Sequence, residues 1–303
     1  MQINDVSQLL KVSRTMVEQL NHVKKEDDSL TDIKTLVFAI LVTYYGSEHF
    51  DEVYMAFLKA NFIECRDLVR YVSTKYSLPE DVVLKLVNHC PGTVYASDAT
   101  NGLKKGHFKF TRNIYVSTST PMPVLVNSVI HQMNHIISSL HQPVLKKKGS
   151  YVARMGLCVE YFDSRKTEVL GLEEAINGLQ VVDMVRSTEK FADDLPHDDV
   201  IASICRELDP SYTLSLATNN IITDIVEPLY KDDAFRGVLV NSRLNGNLKD
   251  ISLAFTSTLD SSDSYNRFLQ ECNNIEKAAN NNADYSKEEA KTLVKTYVDS
   301  VNK

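Results

Sequence analysis

The segment "VNSVIHQMNHIISSLHQP", residues 126–143, restricts the fold more than any other part of the chain. Val126, Val129, Ile130, Met133, Ile136 and Ile137 repeat at helical spacing and describe a helix that must be buried. Two histidines, His131 and His135, sit four residues apart on it. That spacing stacks both rings on one face, one turn apart. Adjacent imidazoles in an apolar setting need a partner. A metal ion suits both, because imidazole is a good zinc ligand. Eight histidines in 303 residues give roughly 0.2 such pairs by chance, so the spacing needs support from its surroundings.

Those surroundings are mixed. Residues 1 to about 90 read as helical, with Val6, Leu9, Leu10, Met16, Val17 and Leu20 at helix spacing. "TLVFAILVTYY" (35–45) is apolar throughout but too short to span a bilayer, and predicts a buried helix. Ser77 and Glu80 around Pro79 form a capping-box pattern for a following helix. From about 93 the period changes, and "HFKFTRNIYVS" (107–117) alternates as a strand with Phe108, Phe110, Arg112, Ile114 and Val116 on one side. The histidine helix follows over about 124–140 and ends before Pro143. "KKKGS" (146–150) reads as a turn, "YVARMGLCVEYF" (151–162) as a strand and "GLEEAINGLQVVDMVR" (171–186) as a helix. The remainder is mostly helical, and Ser286 with Glu289 forms a second capping box before a last helix. Three regions result: a helical part over 1–92, a core over 93–190 and a helical part over 191–303.

A third metal ligand has two candidates. His141 lies ten residues after His131, the spacing of HExxHxxGxxH, but that pattern breaks its helix at a glycine where this chain has Ser138. If the helix continues, His141 sits about 240° around the axis from His135 and points away. The other candidate is Glu174, 39 residues after His135 on the next helix. Two histidines and a glutamate form a donor set known for catalytic zinc. Without a metal, Glu174 reads as an acid that the helix macrodipole favours near its N-terminus.

In this arrangement of strand, "VIHQMNHII", β stretch and "LEEAIN", residues 107–187 resemble the gluzincin class of zinc metallopeptidases. The resemblance implies an α+β, mostly helical fold with a zincin-like core, in which a small sheet lies beside the metal-binding helix. It implies Zn2+ on His131, His135 and Glu174, with Glu173 as the neighbour that could be mistaken for the ligand. It also implies peptide-bond hydrolysis, with a protein or peptide substrate lying along strand 107–117. Two departures matter. The general base of the HExxH motif is replaced by Gln132, whose amide cannot take a proton from water at neutral pH. The oxyanion-stabilising tyrosine has no firm position; Tyr161 is the first candidate, with Tyr151 and Tyr212 behind it. Gln132 is either an isosteric Glu→Gln silencing of a metalloendopeptidase or a natural loss that leaves a pseudo-peptidase. The remaining alternative is a helical interaction module whose histidines are structural.

Other chemistries lack their motifs. There is no glycine-rich phosphate loop and no Gly-x-Ser-x-Gly elbow around Ser117–Ser119. His89, His107 and His197 have no partner at useful spacing, and "DDLPHDD" (193–199) reads as a solvated acidic turn. A net charge of −7 argues against nucleic acid as a partner. Five cysteines without CxxC spacing read as reduced core residues. "MQINDVSQLL" lacks the features of a secretory leader. The expectation is a cytoplasmic protein, or one exported without a cleaved signal.

Overall fold

The computed structural model describes residues 5–26, 30–83, 93–98, 111–116, 121–140, 145–147, 150–161, 166–208, 220–245, 247–259 and 263–301. Helix dominates these residues. In chain order the elements are α1 (Val6–Lys24), α2 (Thr31–Tyr45), α3 (Phe50–Lys59), β1 (Ala60–Glu64), α4 (Cys65–Tyr76), β2 (Thr93–Asp98), β3 (Thr111–Val116), α5 (Met122–Ile137), β4 (Leu145–Lys147), β5 (Ser150–Met155), β6 (Cys158–Tyr161), β7 (Lys166–Glu168), α6 (Leu170–Arg186), α7 (Glu189–Asp193), α8 (Val200–Glu207), α9 (Thr223–Lys231), α10 (Asp233–Asn245), α11 (Leu248–Leu259), α12 (Ser264–Asn280) and α13 (Glu288–Val301). They fall into two units, one of residues 1–137 and 183–210, the other of 138–182 and 211–303. Among the described residues no helix is long and apolar enough to cross a membrane.

In the first unit α2 is the centre. Leu36 through Leu41 are fully buried on every side of the helix. Phe38 meets Phe57 and Phe50 edge to face at ring separations of 5.2 and 5.5 Å. Lys34 is buried in this apolar helix, its charge compensated by Asn21 Oδ1 at 2.8 Å and by the Glu26 carboxylate. Asp5 caps α1 by accepting from the Gln8 amide at 2.6 Å. A three-stranded sheet has the order β1-β3-β2. β3 runs parallel to β1 (Ala60↔Arg112 to Glu64↔Val116) and antiparallel to β2 (Thr93↔Val116 to Asp98↔Thr111). α5 lies against α2, α3, β2, β3 and α8.

The second unit carries a four-stranded antiparallel meander, β4-β5-β6-β7. Its helices enclose a continuous core in which Phe255 packs on Phe235, Phe268, Tyr265 and Tyr297. Leu172, Ala175, Ile176 and Leu179 of α6 belong to the same core.

Four local expectations are corrected. The helical reading of residues 1–90 misses β1, whose residues continue from α3 without a break. Ser77 has φ 52 and follows α4 in left-handed conformation; the next helical turn begins at Glu80, with Val83 N donating to Pro79 O, so Ser77 is not its cap. The stretch 151–162 is not one strand but a hairpin, because Gly156 at φ 59 opens a two-residue loop between Met155 and Cys158. Glycine at the first loop position is what a type II′ turn requires. Finally, Ser286 Oγ accepts from Glu288 N at 3.3 Å, but Glu289 pairs with Arg267 instead of closing the box.

Candidate metal centre

α5 brings the histidines together by its period alone. His131 is partly exposed and His135 is 2% exposed, and their Nε2 atoms are 3.2 Å apart. The ring centroids are 4.8 Å apart with planes at 81°. Tetrahedral zinc with Zn–N bonds of about 2.05 Å places two nitrogens about 3.3 Å from one another. The observed separation fits that geometry. It also fits a direct hydrogen bond in which one neutral ring donates and the other accepts.

A third group lies close enough to join them. His131, His135 and Glu174 each offer a ligand atom, and the three atoms lie within 4.8 Å of one another. A closed tetrahedral set needs separations of about 3.3 Å, so the widest one exceeds it by about 1.5 Å. The donor set suits a borderline-soft divalent ion, and these residues can hold one. Glu174 is the fifth residue of α6, beyond the first turn, so the helix macrodipole does not by itself account for an acid there.

Glu173 is used differently. It is fully buried, and its Oε1 accepts from Arg243 Nε and Nη2, each at 2.7 Å. Its Oε2 accepts from Leu157 N at 3.0 Å. Arg243 also donates to Gln180 Oε1. Glu173 is thus committed to the interior of the second unit, whereas Glu174 is the acid whose carboxylate lies within 4.8 Å of the histidine nitrogens.

The other sequence candidates are placed as follows. Gln132 is half-buried on α5, one residue past His131. Tyr161 ends β6, opposite Val152 and Lys166; its side chain lies outside the described part of the structure, as does that of Tyr151. His141, His89, His107, Tyr212, Phe108, Phe110 and Ser117–Ser119 lie outside the described residues. His197 is exposed, and Asp199 in the acidic turn caps α8 by accepting from Ile201 N and Ala202 N. The substrate expectation changes: β3 has β1 on one edge and β2 on the other, so both its hydrogen-bonding edges are taken over 111–116. A peptide cannot add to that strand.

The histidine spacing does not point to three further polar residues of this helix environment, Asn127, Asn134 and Tyr45. Asn127 and Asn134 lie with His131 and His135 on one polar stripe of α5, at positions i, i+7, i+4 and i+8. Asn127 is 2% exposed and its Oδ1 has no hydrogen-bond partner among the described residues. Asn134 is fully buried and accepts a hydrogen bond from the hydroxyl of Tyr45 on α2. The signal was present, since asparagines at helical spacing interrupt an otherwise apolar segment. Comparison of the chain with protein families, with curated proteins and with solved structures gives no match in any of the three.

Proposed function

We propose that His131, His135 and Glu174 bind zinc, and that the chain has the machinery of a zinc metalloendopeptidase with its general base replaced by Gln132. The observation that carries this reading is the approach of all three ligand atoms to within 4.8 Å, two of them from one helical face. A zinc ion there would supply Lewis-acid polarisation of a scissile carbonyl and would acidify water. The chain's own residues do the rest. Gln132 can orient a water through its amide but cannot remove the proton, so turnover is strongly reduced. Tyr161 is the candidate oxyanion donor, on its position in β6 alone. A peptide pairing in extended form with the first unit's sheet must use an outer edge, that of β1 or β2. The second reading, a helical interaction module with structural histidines, is favoured by the 3.2 Å ring-to-ring approach, which lets the pair satisfy itself.

Elemental mass spectrometry of the protein purified without chelator tests the first step. About one zinc per chain is expected, and none in His135→Ala. Gln132→Glu should then cleave peptides from a mixed library, and a chelator should stop it. A metal-free protein that takes up no added zinc would leave the interaction-module reading; a zinc-loaded but inert Gln132→Glu would leave metal binding without peptidase chemistry.

A further inference from the structure

We infer that Arg243 is a positioning residue for Glu174: from inside the second unit it fixes the rotation of α6 so that the carboxylate meets the metal. The inference rests on the zinc reading above. Arg243 is 1% exposed, and its guanidinium reaches Glu173 and Gln180 on α6. These acceptors are seven residues apart, two turns along nearly the same face. A planar fork held at two heights of one helix resists both rotation about its axis and sliding along it. Glu174 follows Glu173 and projects about 100° further round.

Ligand placement is sensitive to this rotation. A carboxylate oxygen about 6–7 Å from the helix axis moves about 1 Å for a 10° turn, whereas metal ligands must be held to about 0.5 Å. Burying two charges is a poor route to stability, since well-packed apolar residues serve as well or better. What the pair uniquely provides is geometry. The same turn is pinned independently from α12: Asn273 Oδ1 accepts from Val169 N at 3.3 Å, and Glu276 Oε2 from Gly171 N at 3.1 Å. Between these anchors Val169, β-branched and buried, is held at φ 64. Such a conformation persists only where its surroundings over-determine it, and it is commonest at functional sites.

Zinc affinity by competition with a chromophoric chelator, read beside thermal unfolding of the full chain, tests the inference. Wild type must bind one zinc and His135→Ala none; if wild type binds none, the zinc reading itself fails, whatever Arg243 does. Given a binding wild type, Arg243→Lys keeps the charge but loses the fork. Its folded form should bind zinc roughly tenfold more weakly, the low end of the loss that follows removal of a partner bonded directly to a metal ligand, because Arg243 acts through Glu173 and Gln180. Its cobalt-substituted form should lose the visible absorption of a tetrahedral site. The double variant Glu173→Gln, Arg243→Met separates positioning from mere stability. With both charges gone, its unfolding temperature should recover toward wild type while its zinc affinity stays low. Wild-type affinity in folded Arg243→Lys, or affinity that returns together with stability in the double variant, would overturn the proposal.

Discussion

Gly156 and Glu173 meet so closely that the glycine cannot gain a side chain without displacing the carboxylate. A Cβ built on Gly156 would lie 2.2 Å from Glu173 Oε2, and the glycine also sits at φ 59. The carboxylate cannot swing aside freely, because Arg243 holds one oxygen and Leu157 N the other. Gly156→Ala therefore combines left-handed strain with loss of at least one buried hydrogen bond. The expected destabilisation is about 2–4 kcal/mol, seen as a lower urea midpoint at unchanged slope. An unchanged midpoint would mean that the turn re-forms without this contact. At this scale the candidate cluster was legible: the pairing of His131 and His135 follows from helical period, and Glu174 is singled out by the resemblance of "LEEAIN" to the third-ligand segment of gluzincin peptidases. Arg243 was not. It lies 70 residues from Glu173, and no pattern in the chain links the two.

Elements were legible where the period was long and local. α1 and α5 carry their apolar positions at helix spacing and α2 is apolar throughout, and the structure places helices there. β1 was missed because a five-residue strand joined directly to helices on both sides offers no turn signal. The β5–β6 hairpin was missed because two short strands around one glycine look like a single imperfect strand. Helix ends depend on tertiary neighbours: Glu289 at the start of α13 finds Arg267 on α12, so the local box gives way to a longer-range pair. α13 is also tied to α9, where Asp224 receives Lys287 and Lys291, each at 3.1 Å. Partial burial works to raise the Asp224 pKa, but hydrogen bonds from Lys287 and Lys291 outweigh it and hold the carboxyl below its ordinary 3.8. Because the folded value lies below the unfolded one, the pair contributes above the unfolded pKa. That contribution is lost as pH falls through the folded value. Asp224→Asn should lower stability by under about 1 kcal/mol at pH 7, since the carboxylate and both lysines are partly solvated. The gap should close as pH is lowered through the carboxylate range. A gap that stays constant through that range would show that the charge on Asp224 is not its source.

The chain as a whole returns on itself: residues 183–210 join the unit begun by 1–137, and 211–303 join the unit begun by 138–182. No composition shift or linker in the sequence announces this interleaving, because it is set by which apolar faces find one another. The three candidate ligands are scattered along the chain in the same way, two on α5 and one on α6. An unfolded chain cannot hold three such groups together, so a metal that needs all three binds the folded state selectively. Zinc at a free concentration 100 times the measured Kd should then stabilise the protein by about 2.7 kcal/mol, through mass action alone. Thermal unfolding with buffered zinc reads this as an upward shift of several degrees that grows with the logarithm of the free ion. Glu174→Gln replaces a carboxylate oxygen by a neutral amide and should reduce the shift, while His135→Ala should abolish it. If Glu174→Gln left the whole shift in place, the histidine pair alone would be binding the ion. The site would then be one helical face, with no role for α6 in holding the metal.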